Sequence, residues 1–266
     1  MSSAIGTLRV LRSGAVARLT LERAPVNALD RPLSRALVDA IDGISRDSSV
    51  AALVLDGAGR GFSAGVEVSD HAPSLVEGML SDFHCAVRAL AGAPFPTLAA
   101  VHGFALGGGL ELALACDLVV VESDSKLGFP EIRLGAYPPV AAAVLPARIG
   151  WAAACELVLA GEELAPERAA ALGLVNRVCA AGSREDAIQS LLSPLLAHSP
   201  AVVRAAKAAL REGASRPASA VAPRAGMGDA LERIETRYLA DLVALHDAEE
   251  GVRAWLEKRP PKWSNR

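Results

Sequence analysis

Three consecutive glycines followed two residues later by a glutamate, inside an otherwise apolar run, set the tightest limit on how this chain can fold. Residues Ala99 to Asp117 read AAVHGFALGGGLELALACD. The run opens as a short apolar strand over Thr97–Val101, breaks at Gly103, and resumes as a helix after Gly107-Gly108-Gly109. Glycines without a Cβ let backbone approach a ligand closely. A helix start adds unpaired N–H groups and a partial positive charge. Glu111 follows in the first turn, amid Leu112, Ala113, Leu114 and Ala115. A carboxylate in such company is costly to bury unless paired or protonated. Backbone donors beside a tunable acid are the parts that stabilise a developing oxyanion and move a proton next to it. Plain close packing of a helix on a strand accounts for the glycines equally well, and a first-turn acid also suits the helix dipole. A membrane span does not fit, because Glu111 and Asp117 would each be expensive in hydrocarbon.

The flanking sequence supplies a frame for that run. A chain of 266 residues makes one large domain, or a domain with an appendage, and buries roughly three-quarters of its unfolded surface. Leu8–Leu11 and Val16–Leu21 alternate around Ser13-Gly14 as a hairpin does. Asp30 caps a helix that carries Pro32 in its first turn and runs to Ser45. Val50–Leu55 is apolar throughout, as a buried parallel strand is. A glycine-rich loop follows, then a helical period from Ser74 to Leu90 that Pro94 and Pro96 end. Leu118–Val121 and Leu174–Val178 read as strands. Val140–Leu145, Trp151–Leu159, Pro166–Leu172, Glu185–Leu196 and Ala201–Arg211 read as helices. This alternation predicts an α/β core. Gly213–Gly228 reads as a linker, before a long amphipathic helix marked by Leu231, Ile234, Tyr238, Leu242 and Leu245. The basic tail EKRPPKWSNR is either a solvated end or a contact for an anionic ligand.

Several chemistries drop out. The formal net charge of −3 gives no basic face for nucleic acid. Cys85, Cys116, Cys155 and Cys179 are too far apart for a C-x-x-C metal site or a disulfide framework, so no metal is expected. The N-terminus has no continuous apolar stretch of the signal-peptide kind, which predicts a cytoplasmic protein. Gly57, Gly59 and Gly61 lack the spacing of a dinucleotide fingerprint, and no P-loop lysine follows. Gly61-Phe62-Ser63-Ala64-Gly65 does match G-x-S-x-G, the nucleophile elbow of α/β-hydrolases. Ser63, however, lies several loop residues beyond its strand, and Val66 and Val68 are poor helix openers.

Glu131 is the second acid of interest. Pro130 fixes the backbone ahead of it, and Ile132, Leu134 and Tyr137 surround it with apolar groups; an exposed loop glutamate fits the same residues.

Taken together, GFSAGVEV at 61–68, ALGGGLELALACD at 105–117 and LGFPEIRLG at 127–135 resemble the crotonase (enoyl-CoA hydratase/isomerase) superfamily. ELVLAGEELAPERAAALGLVNRV and DAEEGVRAWLEKRPPKW extend the likeness over nearly the whole chain. The resemblance implies a spiral of repeated ββα units over residues 1–198 holding the acyl-CoA site. It also implies a C-terminal helical region, 199–266, for assembly as a homotrimer or a dimer of trimers. Its oxyanion hole falls on the backbone N–H groups of Val66 and Gly108, and its two hydratase glutamates on Glu111 and Glu131. Its coenzyme A contacts fall on backbone at Ala24, Val26, Asn27, Ser63 and Ala64. Coenzyme A arrives as part of the substrate, so no separate cofactor is implied.

The chemistry of the residues agrees with that reading. Adding water to an enoyl thioester puts negative charge on the carbonyl oxygen, where two backbone donors meet it at about 3–4 kcal/mol each in comparable sites. One carboxylate takes a proton from water and the other gives one to carbon; burial and mutual repulsion raise such acids into the useful range. Glu111 is assigned the water and Glu131 the carbon, although the sequence is equally compatible with the reverse. Two stretches depart from the common family pattern: Ala136-Tyr137-Pro138-Pro139-Val140-Ala141 replaces a glycine-rich IPGAGG, and Val66-Glu67-Val68-Ser69-Asp70-His71 replaces the usual loop. Both resemble cyclohexa-1,5-diene-1-carbonyl-CoA hydratases of aromatic degradation, with Tyr137 and His71 against the acyl group. The alternatives are an isomerase or other acyl-CoA enzyme on the same scaffold, a Ser63 hydrolase, and a non-catalytic CoA-binding protein.

Overall fold

The computed structural model describes residues 2–214, 238–242 and 244–266. They fall into two compact units, one of residues 1–93 and 97–191, the other of residues 94–96 and 192–266.

In the first unit, β1 (Ser2–Ile5), β2 (Leu8–Ser13) and β3 (Val16–Leu21) form an antiparallel meander. Helix α1 (Arg31–Ser45) starts where expected: the Asp30 carboxylate accepts the Leu33 N–H at 2.9 Å. That bond satisfies one of the orphan donors of the first turn. Strand β4 (Ala52–Gly57) is buried throughout and pairs in parallel with β3. After α2 (Val76–Gly92) comes β5 (Thr97–Val101), parallel to β4. A three-residue strand, β6 (Phe104–Leu106), then precedes α3 (Gly108–Leu114). It is absent from the sequence reading, which runs from the break at Gly103 straight into the helix.

The same order recurs: β7 (Leu118–Glu122) joins the large sheet, β8 (Lys126–Gly128) pairs in parallel with β6, and a 3-10 turn spans Pro130–Leu134. Helices α4 (Pro139–Ile149) and α5 (Trp151–Ala160) follow. The two-residue β9 (Glu163–Leu164), α6 (Pro166–Ala171), β10 (Arg177–Cys179) and α7 (Arg184–Leu196) complete the run. The large sheet is ordered β1-β2-β3-β4-β5-β7-β10 and the small one β6-β8-β9.

Each turn of chain therefore lays one long strand in the large sheet, a short one in the small sheet, and then a helix. The glycine-rich loop after β4 obeys the rule in reduced form, for Ser63 makes a parallel bridge to Ala105 of β6. These are the repeated ββα units the resemblance implies. Long strands 53–55, 98–101 and 119–121 are almost wholly inaccessible. Apolar runs buried on both faces are what parallel strands require.

The second unit contains α8 (Pro200–Ala214), a single π-helical turn over Tyr238–Leu242, and α9 (His246–Leu256). Most of the Gly213–Gly228 linker, and the Leu231–Ile234 part of the long amphipathic helix, lie outside the described residues. Inside the unit, the Lys207 ammonium donates to the Phe95 carbonyl at 2.7 Å and the Trp263 indole to the Ala197 carbonyl at 2.8 Å. No helix among the described residues is long and apolar enough to cross a membrane.

Candidate functional site

The loop carrying Val66 is held by one parallel bridge. The Leu29 N–H donates to the Gly65 carbonyl at 2.8 Å, and the Glu67 N–H to the Leu29 carbonyl at 3.1 Å. Because Leu29 bonds the two neighbours of Val66, the N–H of Val66 itself faces the other way, as parallel pairing dictates. It meets the first turn of α3. A Cβ on Gly65 would stand 2.9 Å from the Leu106 carbonyl oxygen and 3.5 Å from the Gly108 nitrogen, and Gly65 has φ +106. Only glycine takes that conformation without strain. Neither the Val66 nor the Gly108 N–H has an acceptor among the described residues. The triple glycine is a packing device too: a Cβ on Gly109 would meet the Ser63 carbonyl oxygen at 2.5 Å. Close packing and paired donors, the two readings of the glycines, are both realised.

These amides open on a cavity of about 270 Å³. Glu111 reaches it from α3 and Glu131 from the 3-10 turn. Apolar side chains of α2, among them Met79 and Phe83, form a wall, and Tyr137 and His71 also line the cavity. Glu111 is 2% exposed, and its Oε1 accepts the Ala141 N–H at 2.8 Å. Burial pushes its carboxyl up to about 7, the Ala141 amide pulls it down, and the nearby Glu131 charge pushes it up again. Glu131 is raised as well, by burial, against a bond from its own backbone and the charge of His71. Its Oε2 is buried with no hydrogen-bond partner, which favours the protonated form. Apolar walls, two acids above their ordinary range and two free amides are parts for adding or removing a proton beside a carbonyl that gains negative charge.

Of the residues singled out in the sequence, Glu111, Glu131, Val66, Gly108, Ala64, His71 and Tyr137 line this cavity together. Ala24, Val26, Asn27 and Ser63 do not. Asn27 is 2% exposed, and its amide donates to the Ala58 and Gly61 carbonyls at 2.8 and 2.9 Å while its Oδ1 accepts the Arg23 N–H. The Val26 carbonyl accepts the Ala64 N–H at 2.9 Å, and Ala24 is exposed. The Ser63 hydroxyl is fully buried, donating to the Asn27 carbonyl at 2.7 Å and accepting the Gly65 N–H at 3.2 Å. Ser63 therefore bridges to β6 from within a loop rather than sitting at a strand-to-helix elbow, and its oxygen is spent on holding that loop. That geometry removes the hydrolase reading.

Two contributions escaped the sequence. The α2 wall was legible as one face at helical spacing (Val76, Met79, Leu80, Phe83), but nothing said which cavity it faced. The Ala141 amide left no signal, since any residue but proline supplies it. No cluster of three metal-ligating side chains occurs among the described residues.

Residues 12–266 match the family described as enoyl-CoA hydratase/isomerase. Over 268 aligned residues the chain is 35% identical to the cyclohexa-1,5-dienecarbonyl-CoA hydratase of Thauera aromatica, covering 100% of both. It is also 35% identical to the 2,3-dehydroadipyl-CoA hydratase of Escherichia coli, covering 97% of this chain and 99% of that protein. Among solved structures, an enoyl-CoA hydratase from Mycobacterium smegmatis superposes with a TM-score of 0.88 at 30% identity, over 97% of this chain and 99% of that one.

Proposed function

Because this chain belongs to the enoyl-CoA hydratase/isomerase family, we propose that it is a hydro-lyase adding water across a conjugated enoyl- or dienoyl-CoA double bond. The observation that carries the reading is the convergence of two raised carboxyls and two acceptor-free amides on one apolar cavity. The thioester oxygen takes the Val66 and Gly108 N–H groups. Glu111, its carboxylate steadied by the Ala141 amide, removes a proton from water as the oxygen attacks the β-carbon. Charge moves to the thioester oxygen, and Glu131 returns a proton to carbon. General acid–base steps of this kind contribute roughly 10²–10⁴-fold.

The finer reading is a cyclic dienoyl-CoA, with cyclohexa-1,5-diene-1-carbonyl-CoA as substrate, in aromatic degradation. Two relatives of equal identity are named for different acyl groups, so the support comes from the cavity. Pro138 and Pro139 stiffen the approach to α4, and the Tyr137 ring stands at the cavity. A flat apolar wall suits a planar ring better than a mobile chain.

Cytoplasmic location and a trimer-based assembly built on residues 199–266 go with this reading, and no group beyond the substrate's own coenzyme A is invoked.

Purified protein assayed against cyclohexa-1,5-diene-1-carbonyl-CoA, crotonyl-CoA and a longer enoyl-CoA should prefer the cyclic diene by about tenfold in kcat/KM. One or two apolar contacts supply that much discrimination. Preference for a linear chain discards the cyclic substrate and keeps the hydratase. Isomerised product without water addition moves the function to isomerase.

A further inference from the structure

Arg23 lies in the loop between β3 and α1 and does not line the cavity, yet its guanidinium is committed on three sides. Its Nε lies 2.9 Å from the Asp30 carboxylate, its Nη2 lies 2.9 Å from the Glu67 carboxylate, and its Nη1 donates to the Ala28 carbonyl at 3.3 Å. The three charged side chains are only 23–29% exposed. A planar fork holding two carboxylates fixes direction as well as distance, which a single ammonium does not. These partners enclose one short piece of backbone. Ala28 and Asp30 flank Leu29, and Glu67 follows Val66. Leu29 in turn donates to the Gly65 carbonyl and accepts the Glu67 N–H. The Gly65 carbonyl and the Val66 N–H belong to one planar trans peptide, so whatever fixes the first aims the second. On its other oxygen Asp30 accepts the Leu33 N–H, which ties the fork to the start of α1.

We propose that Arg23 is a positioning residue for the oxyanion hole: by clamping Glu67 to the segment around Leu29 it holds the Val66 N–H on the thioester oxygen. The inference rests on the reading of Val66 and Gly108 as that hole. The Gly108 donor has separate support, since the Gly107 N–H donates to the Gly128 carbonyl at 2.8 Å. Loss of Arg23 therefore loosens one donor of the two.

The test reads the hole without turnover. Butyryl-CoA carrying 13C at the thioester carbonyl has no double bond to hydrate, and its carbonyl stretch, isolated by isotope-edited infrared difference spectra, falls as hydrogen bonds to that oxygen strengthen. Wild-type protein should lower the band relative to free ligand. Arg23→Met and Glu67→Met should each give back much of that displacement, and the double variant no more than either alone, because both break the same link. Arg23→Lys should recover part of it. In hydration assays kcat should fall about tenfold with KM nearly unchanged, since one donor is misaimed rather than removed. Circular dichroism checks folding; if Arg23→Met does not fold, Glu67→Met and Arg23→Lys carry the same comparison. Bands at the wild-type position in folded variants overturn the proposal, as does a fully additive double variant. A wild-type band that matches free ligand rejects the oxyanion hole itself, and the proposal falls with it.

Discussion

Glu111 and Asp247 are both buried acids, and they are buried for opposite ends. Glu111 is 2% exposed and meets backbone amides alone, that of Ala141 at 2.8 Å and that of Val140. Asp247, in the second unit, is 1% exposed and accepts from the Ser199 hydroxyl, the Ser264 N–H and hydroxyl, and the Asn265 N–H. Burial pushes both carboxyls up. For Asp247 its donors outweigh burial and hold it far below the usual carboxylate range, whereas Glu111 stays at about 7. Burial alone therefore does not mark a working acid. What marks one is burial with too few donors, since that leaves the proton negotiable.

The largest effect should come from Glu111→Gln, which lowers hydration by roughly 10²–10⁴-fold. Binding of a CoA thioester, measured by calorimetry, should stay nearly unchanged; near-wild-type turnover would break the assignment of Glu111 as the worked acid. Asp247→Asn should do the reverse. It mismatches donors built around a charge and costs about 2–3 kcal/mol of stability in urea unfolding, with kcat per folded molecule kept.

The pH dependence sharpens the contrast, because the signs differ. Glu111 binds its proton more tightly folded than unfolded, so its contribution to stability falls as pH rises from about 4.5 to about 7 and is flat outside that window. Glu111→Gln should accordingly gain on the wild type between pH 5 and pH 8, by about 3 kcal/mol at most. Asp247 is depressed, so its stabilisation is present above its unfolded value near 3.8 and is lost as pH falls. A Gln variant that loses ground as pH rises would reverse the sign assigned to Glu111. The smallest effect is expected of Ser63→Ala, about 1 kcal/mol for a buried hydroxyl's bonds, with turnover largely retained. Labelling of Ser63 by a serine-directed acylating probe would contradict its role as a loop tie.

The frame was legible because long signals carry it. The Asp30 cap, the buried runs of β4, β5 and β7 and the alanine-rich helices each repeat one message over many residues. The short strands were not: β6, β8 and β9 have two or three residues each, too few for a period, and pairing creates them. Glu111 and Glu131 were visible as acids in apolar company. Ala141 was invisible, because a backbone amide at long range leaves no mark on residue identity. Asn27 and Ser63 were placed at the ligand by the resemblance. Their side-chain polar atoms are taken up by hydrogen bonds within the folded loops, a fact only those loops reveal, which leaves the implied backbone contacts as they were.

The Glu111–Ala141 hydrogen bond has a consequence for redesign. Ala141 follows directly on Tyr137-Pro138-Pro139-Val140, the stretch a designer would exchange to admit a different acyl group. Any graft that tilts this segment also moves the donor that tempers Glu111. Should that stretch set acyl preference, as proposed, acyl preference and pH dependence would change together, because both run through the Ala141 amide. Grafts that leave the Ala141 amide in place are the ones free to vary in selectivity alone.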